Sequence, residues 1–353
     1  MVIAEAGFQR FDFALTEPYT IAYETVSSAT NFVLRLRSES GTLGLGCAAP
    51  DEAVTGERPE QVETAIREVL LPLLHGEDPL MRKRLMEQAE TALPAMPATL
   101  AMLDTALADL AARAAGMPLY QYLGGYRDAI ATSITIGILP LDETLEKAAA
   151  FVRSGFGILK LKGGNDWEAD AEKIRRLRER FPEIALRFDG NQGYEVAEAL
   201  HFFKATESCD IEIFEQPTPV GDGQRIGAVT RQTDLPIMAD ESIKSVEDAY
   251  RLVSGEHVDM INIKLMKVGG MSRAGRIDAI AQAAGVPTMV GCMDECGLGI
   301  AAGLHFALSR PNVHYADLDG HLDLLGDPFA GCVRLENGIL YPLDAPGLGI
   351  TDF

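Results

Sequence analysis

The chain has 353 residues, 47% of them hydrophobic, which is enough for one large core or for two domains. A formal net charge of -21 repels phosphate backbones and anionic lipid, and so excludes nucleic acid and membrane surfaces as natural partners. No apolar run reaches the about 18 residues of a membrane span, and Met1 to Gly7 lacks a basic region followed by an apolar one, so neither export nor insertion is expected.

Five cysteines (Cys47, Cys209, Cys292, Cys296, Cys332) are scattered and odd in number, which points to packed thiols in a reducing, cytoplasmic setting. Cys292 and Cys296 share i, i+4 spacing but have no second Cys or His pair nearby, so a soft metal site is disfavoured. From the N-terminus, Phe8 to Leu15 alternates loosely and Phe32 to Arg37 cleanly, before a turn at Ser40-Gly41. The opening residues read as three strands with a polar-aromatic loop at 17–24 and a second loop at 50–57. Gly44 and Gly46 lack the third glycine of a nucleotide loop and read as a tight strand exit.

From residue 59 the period becomes helical. Val62, Ile66, Val69 and Leu70 form one stripe, and Leu103, Leu107 and Leu110 form another. Gly116-Met117-Pro118 stops the last helix and Leu123-Gly124-Gly125 marks a boundary, giving an α+β domain over 1–125. Beyond it short β-rich runs recur between helical stretches: 132–136, 158–162, 185–189, 211–215, 237–240, 260–264, 288–292 and 314–319. The polar residues Lys162, Asp189, Glu215, Asp240 and Lys264 close successive runs at spacings of 27, 26, 25 and 24. That is the length of a strand, a helix and two loops. Eight such units over 126–321 favour an α/β barrel of the (β/α)8 type over a doubly wound sheet, the alternative that spacing leaves open. Residues 322–353 carry Pro and Gly without a helical period and are expected to pack back on the first domain.

In such barrels the active site lies at the C-terminal strand ends, where these polar residues fall. Asp189, Glu215 and Asp240 end three adjacent units. Three converging carboxylates repel one another, and a hard divalent cation, Mg²⁺ or Mn²⁺, resolves the repulsion. Lys160 and Lys162 alternate on one strand and share a face, and their mutual repulsion should depress a pKa toward that of a working base. Lys162 precedes the acids and Lys264 follows them, so the two can reach opposite faces of a substrate. One removes an α-proton and the other returns one, which is racemisation or epimerisation.

These residues resemble the enolase superfamily in its muconate-lactonizing-enzyme subgroup, and its dipeptide epimerases above all, over nearly the whole length. The resemblance implies a capping domain over a modified (β/α)7β barrel. It implies Lys162 and Lys264 as acid and base, Asp189, Glu215 and Asp240 as Mg²⁺ ligands, and Lys160, Asn191 and Glu241 in support. None of the six histidines stands where the mandelate-racemase subgroup keeps its His–Asp pair. Asp317 and Asp319, two apart on the last strand, are implied to grip a dipeptide's α-ammonium, and two carboxylates on one face suit one ammonium. Thr135, Ile21, Met293 and Asp294 are implied around the substrate, with Cys296 where a Ser is expected. Epimerases of Ala-Glu dipeptides carry a basic residue in the first loop. Here Glu24 takes that place, which implies hydrophobic or cationic dipeptides, with Asp51 and Glu52 assisting. An o-succinylbenzoate synthase or muconate cycloisomerase on the same metal site is the alternative, and a metal-binding barrel without catalysis is a remote one. Oligomeric state is left open, a homo-oligomer included.

Overall fold

Alternation from Ile3 onward draws the first residues into an antiparallel sheet. In the computed structural model, which describes residues 1–350, β1 (Ile3–Thr20), β2 (Thr25–Ser38) and β3 (Leu43–Ala48) lie in that order. The β1–β2 hairpin is longer than the sequence pattern announces. Residues 17–20, read as loop, continue β1, with Tyr19 opposite Val26 and Thr20 opposite Thr25. The register slips between Ala14 and Tyr19. A slip of this kind tolerates Pro18, which has no N–H to give a ladder. Only 21–24 remain as the hairpin tip.

The helices of this part are α1 (Pro59–Ala65), which runs through a π turn at Ile66–Leu70 into α2 (Leu71–Leu74), then α3 (Arg82–Ala92), α4 (Pro97–Ala114) and α5 (Leu119–Tyr122). Helix α4 is buried from Ala98 to Ala112 and lies against β3. Its alanines permit an approach that Gly44 and Gly46 complete. A Cβ on Gly46 would lie 2.0 Å from the Met102 carbonyl oxygen, and one on Gly44 2.4 Å from that of Ala106. The two glycines are therefore not a strand exit: they sit inside β3, where the helix backbone leaves no room for a side chain.

After β4 (Ile130–Ala131) comes an eight-stranded parallel sheet: β5 (Ile134–Ile136), β6 (Ile158–Lys162), β7 (Ala185–Asp189), β8 (Ile211–Glu215), β9 (Ile237–Ala239), β10 (Met260–Lys264), β11 (Thr288–Gly291) and β12 (Val313–Asp317). The connections carry α6 (Leu141–Arg153), α7 (Trp167–Arg180), α8 (Val196–Thr206), α9 (Gln224–Thr230), α10 (Val246–Ser254), the short α11 (Leu265–Val268) with α12 (Met271–Ala283), and α13 (Gly297–Leu308). The last strand has no partner helix, the (β/α)7β form. Closure runs through a bridge from Thr132 to Ala316, and through the Asp319 carboxylate, which accepts the Thr135 N–H at 2.7 Å. Below the strand ends the barrel is filled by Ile213, Met238, Met260 and Met289, with Tyr315 beneath the Arg187 guanidinium at 5.1 Å. The floor is thus sealed. β14 (Ile339–Pro342) pairs with β13 (Val333–Glu336) on one side and β4 on the other, and residues 343–350 return to α4, where Asp109 accepts the Leu348 N–H at 2.7 Å; residues 351–353 of the expected return lie outside the described residues.

Two stability predictions follow from this packing. Gly46→Ala presses a methyl group into helix backbone that cannot yield, and should lower unfolding free energy by about 3 kcal/mol in a urea titration. His305, fully buried on α13, accepts the Tyr120 N–H at Nδ1 (3.0 Å), and burial pushes its pKa from 6.5 down to about 3. The unfolded chain binds a proton there below pH 6.5 while the folded one does not. The contribution is therefore complete above pH 6.5 and is lost as pH falls toward 3, by about 1.4 kcal/mol per pH unit for a single site. In His305→Asn, whose Oδ1 keeps the acceptor, unfolding free energy should fall less steeply between pH 6.5 and 5.

Candidate active site

The barrel's C-terminal ends open into a cleft of about 910 Å³ of empty space, part of it continuous with solvent. The β1–β2 hairpin roofs it. Tyr19 donates its hydroxyl to Asp294 (2.9 Å), Lys147 of α6 meets Glu17 (3.0 Å), and the Ile138 N–H donates to the Thr20 carbonyl (2.8 Å). The 50–57 loop forms the adjoining wall. Asp51 accepts the Val54 N–H (2.8 Å), and Lys244 from the barrel donates to the Val54 carbonyl (2.7 Å).

Period-two alternation sends Lys160 and Lys162, Arg187 and Asp189, and Asn262 and Lys264 to the inside of the barrel. Lys160 is 1% exposed and contacts Glu215 Oε2 (2.7 Å), Asp317 Oδ2 (2.7 Å) and Asp189 Oδ2 (3.1 Å). Burial alone would pull its pKa down, but Asp317, Glu215 and Asp189 outweigh burial and hold it well above the usual lysine value. The sequence expectation of mutual lysine repulsion is thus corrected: acids, not Lys162, dominate the surroundings of Lys160. Lys162 pairs with Asp189 Oδ2 (2.7 Å), and Lys264 with Asp240 Oδ2 (2.8 Å). β6 and β10 stand four places apart in a closed ring of eight, so Lys162 and Lys264 enter the cleft from opposite sides.

Among the described residues no group of three or more His, Cys, Asp or Glu side chains forms a ready ion-binding cluster. Ammonium groups meet the inward carboxylate oxygens instead. The donors nevertheless fit a hard cation. Asp189, Glu215 and Asp240 offer oxygen only, and burial first, then repulsion from Asp189 and Asp240, raises the pKa of Glu215. Buried oxygens of Asn191 (Oδ1) and Glu241 (Oε2) have no hydrogen-bond partner, and burial with Asp240 and Asp189 pushes Glu241 up to about 7. Of the other expected residues, Thr135, Ile21, Glu24, Asp51, Met293, Asp294, Asp317 and Asp319 line the cleft with Asn191 and Glu241. Glu52 does not: it is exposed on the outside of the turn that the Asp51 carboxylate caps. Asp317 is occupied at both oxygens, by Lys160 and by the Ser133 hydroxyl (2.7 Å), and Lys160 brings it down to about 2 against the effect of burial. Asp319 gives one oxygen to Thr135 and keeps only a long contact (4.0 Å, to Cys292) at the other; burial and Asp317 push it up to about 7.

Sequence reasoning sets the 17–24 loop over the site without singling out Tyr19 and Tyr23, and passes over Lys147 and Asp323 in the cleft and Asn262 and Lys267 behind it. For Lys267 a signal existed, a lysine inside the apolar run Leu265-Met266-Lys267-Val268. The cleft residues carried none, because hairpin and loop side chains show no period.

Residues 7–124 match the mandelate racemase / muconate lactonizing enzyme N-terminal domain, and residues 143–351 match the enolase C-terminal domain-like family. The chain is 43% identical to an L-Lys-D/L-Arg epimerase of Desulforapulum autotrophicum over 99% of both chains. It superposes with a TM-score of 0.94 on a dipeptide epimerase of Methylococcus capsulatus solved with Mg and the dipeptide L-Arg-D-Lys, at 40% identity over 99% of both chains. The L-Ala-D/L-Glu epimerase of Bacillus subtilis, in a substrate-liganded complex, matches with a TM-score of 0.96 and 37% identity over 99% of both chains. Cap, barrel and sequence together make this chain a member of the mandelate racemase / muconate lactonizing enzyme family of the enolase superfamily, on the branch that holds these dipeptide epimerases.

Proposed function

We propose that this chain is a Mg²⁺-dependent epimerase of cationic dipeptides that inverts the α-carbon of the C-terminal residue. The observation that carries the reading is the pair of lysines, Lys162 and Lys264, which enter one cleft from opposite sides with buried carboxylates between them. A substrate α-carbon between two such groups loses its proton to one lysine and regains one on the far face from the other. The product is the mirror configuration at that carbon. Asp189, Glu215 and Asp240 would hold Mg²⁺, which would supply positive charge to offset the negative charge left on the substrate by proton loss. Lys160 keeps the carboxylates together from below.

The dipeptide part of the reading rests on Asp319, whose second oxygen has only the long Cys292 contact and is open to an α-ammonium at the rim, with Asp317 adding negative charge beside it. A lyase acting on an anionic substrate without an amine gains nothing from these two acids. The cationic part rests on the cleft's outer wall, where Glu24 and Asp51 stand near enough for Asp51 to act on the Glu24 pKa, and burial and Asp51 both raise it. Among the described residues no arginine lines the cleft, and Lys147 there is paired with Glu17. The named activities of the relatives in Desulforapulum autotrophicum and Methylococcus capsulatus point the same way.

In D₂O with Mg²⁺, L-Lys-L-Arg and related dipeptides should gain one deuterium at the C-terminal α-carbon, read by mass. Turnover of succinylbenzoate-type acids with no dipeptide exchange would overturn the assignment. Lys264→Ala should still exchange one epimer of the substrate while losing the other, whereas equal loss for both would remove the division between the two lysines. Glu24→Gln with Asp51→Asn should lower kcat/KM for cationic dipeptides about tenfold and leave Leu-containing ones little changed, since a charged hydrogen-bond partner contributes about 1.5 kcal/mol.

A further inference from the structure

Each of the three inward carboxylates is tied from behind at one oxygen and meets an inward lysine at the other. Asp189 Oδ1 accepts the Asn191 backbone N–H (2.9 Å), while Oδ2 faces Lys160 and Lys162. Glu215 Oε1 accepts the Asn262 side-chain amide (2.6 Å), while Oε2 faces Lys160. Asp240 Oδ1 accepts Lys267 (2.5 Å), while Oδ2 faces Lys264. The outer partners are not substrate groups. Lys267 is wholly buried on α11, and its remaining protons go to the Asp240 and Asn262 carbonyls. Asn262 is also wholly buried, and its room comes from Gly291, where a Cβ would lie 2.6 Å from the Asn262 amide oxygen.

We infer that Lys267 and Asn262 are positioning residues that hold Asp240 and Glu215 to one inward oxygen each, and so set the site's choice of Mg²⁺ over Ca²⁺. The inference rests on Asp189, Glu215 and Asp240 being the metal ligands. Its physical basis is coordination chemistry. Mg²⁺ takes six ligands near 2.0–2.1 Å in a strict octahedron, and one oxygen per carboxylate suits it. Ca²⁺ takes six to eight ligands at about 2.3–2.6 Å and readily accepts both oxygens of a carboxylate. A carboxylate whose outer oxygen is already taken by a buried ammonium or amide cannot turn to present two. The arrangement therefore lowers the coordination number available to the larger ion. Charge alone predicts otherwise: removing the Lys267 cation makes the site more negative and should tighten both ions alike.

The test is calorimetric titration of the metal-stripped full chain with Mg²⁺ and with Ca²⁺, for the wild type, Lys267→Met and Asn262→Leu, alongside thermal melts without metal. In each variant the Mg²⁺ Kd should rise about 10- to 100-fold, as outer-shell losses do, while the Ca²⁺ Kd stays level or falls. The selectivity ratio should thus drop at least tenfold. Equal change for both ions, in either direction, or an unchanged ratio in a folded variant, overturns the inference. If Lys267→Met does not fold, Asn262→Leu decides alone, because it acts on a different carboxylate through a neutral group. A wild-type chain that binds neither ion overturns the metal assignment itself, an outcome distinct from an unchanged ratio.

Discussion

Lys160 is the group on which the rest of this molecule depends. It stands at 1% exposure in the middle of a parallel barrel with an ion pair to each of three acids on three other strands. A buried charge without a partner costs several kcal/mol, and a carboxylate left behind costs as much again. Neither Lys160 nor its partners could be buried alone, so the strands that carry them are obliged to meet. β6 brings the cation, β7 and β8 bring Asp189 and Glu215, and β12, five places beyond β7 in the ring, brings Asp317. The polar layer therefore specifies which strands must converge at the top of the barrel, while the methionine and isoleucine layer beneath supplies the apolar burial that makes convergence favourable.

The cap obeys a different constraint, steric rather than electrostatic. A helix of small residues lies close enough on a sheet that two glycines are required at the contact. This fixes the sheet as a rigid plate, and the β1–β2 hairpin projects from the plate over the cleft. Asn31 of β2 joins plate to barrel: its amide oxygen accepts the Cys296 N–H (2.7 Å) and its amide nitrogen donates to the Asp294 carbonyl (3.0 Å). The side chains that face the cleft from above are therefore positioned by the cap's core.

The barrel was legible in the sequence because its period is long, regular and punctuated by unusual residues. A lysine or an acid at the end of an apolar run stands out, and runs such as 158–162 and 211–215 coincide with strands. The roof was less legible. Tyr19 and Thr20 read as loop, yet cross-strand pairing over a register slip carries them into β1. Glycines at 44 and 46 looked like punctuation because nothing in their neighbours reveals a helix from residues 97–114 pressing on them. Pairing partners were also hidden. The lysine repeat suggested repulsion, but the acids that reverse the balance at Lys160 lie 29 to 157 positions away, a distance that local pattern cannot span.

The seam between β5 and β12 has a consequence of its own. Where a ladder bond would close the ring at its upper rim, the Asp319 carboxylate takes the Thr135 N–H instead. The same residue lines the cleft. One oxygen thus completes the wall and the other faces whatever occupies the interior, so the integrity of the barrel and the occupancy of the cleft draw on a single side chain. Such a position cannot drift freely. The hairpin tip at 21–24 and the turn after Asp51 line the same cleft without closing the barrel, so the two duties that meet in Asp319 are separate there.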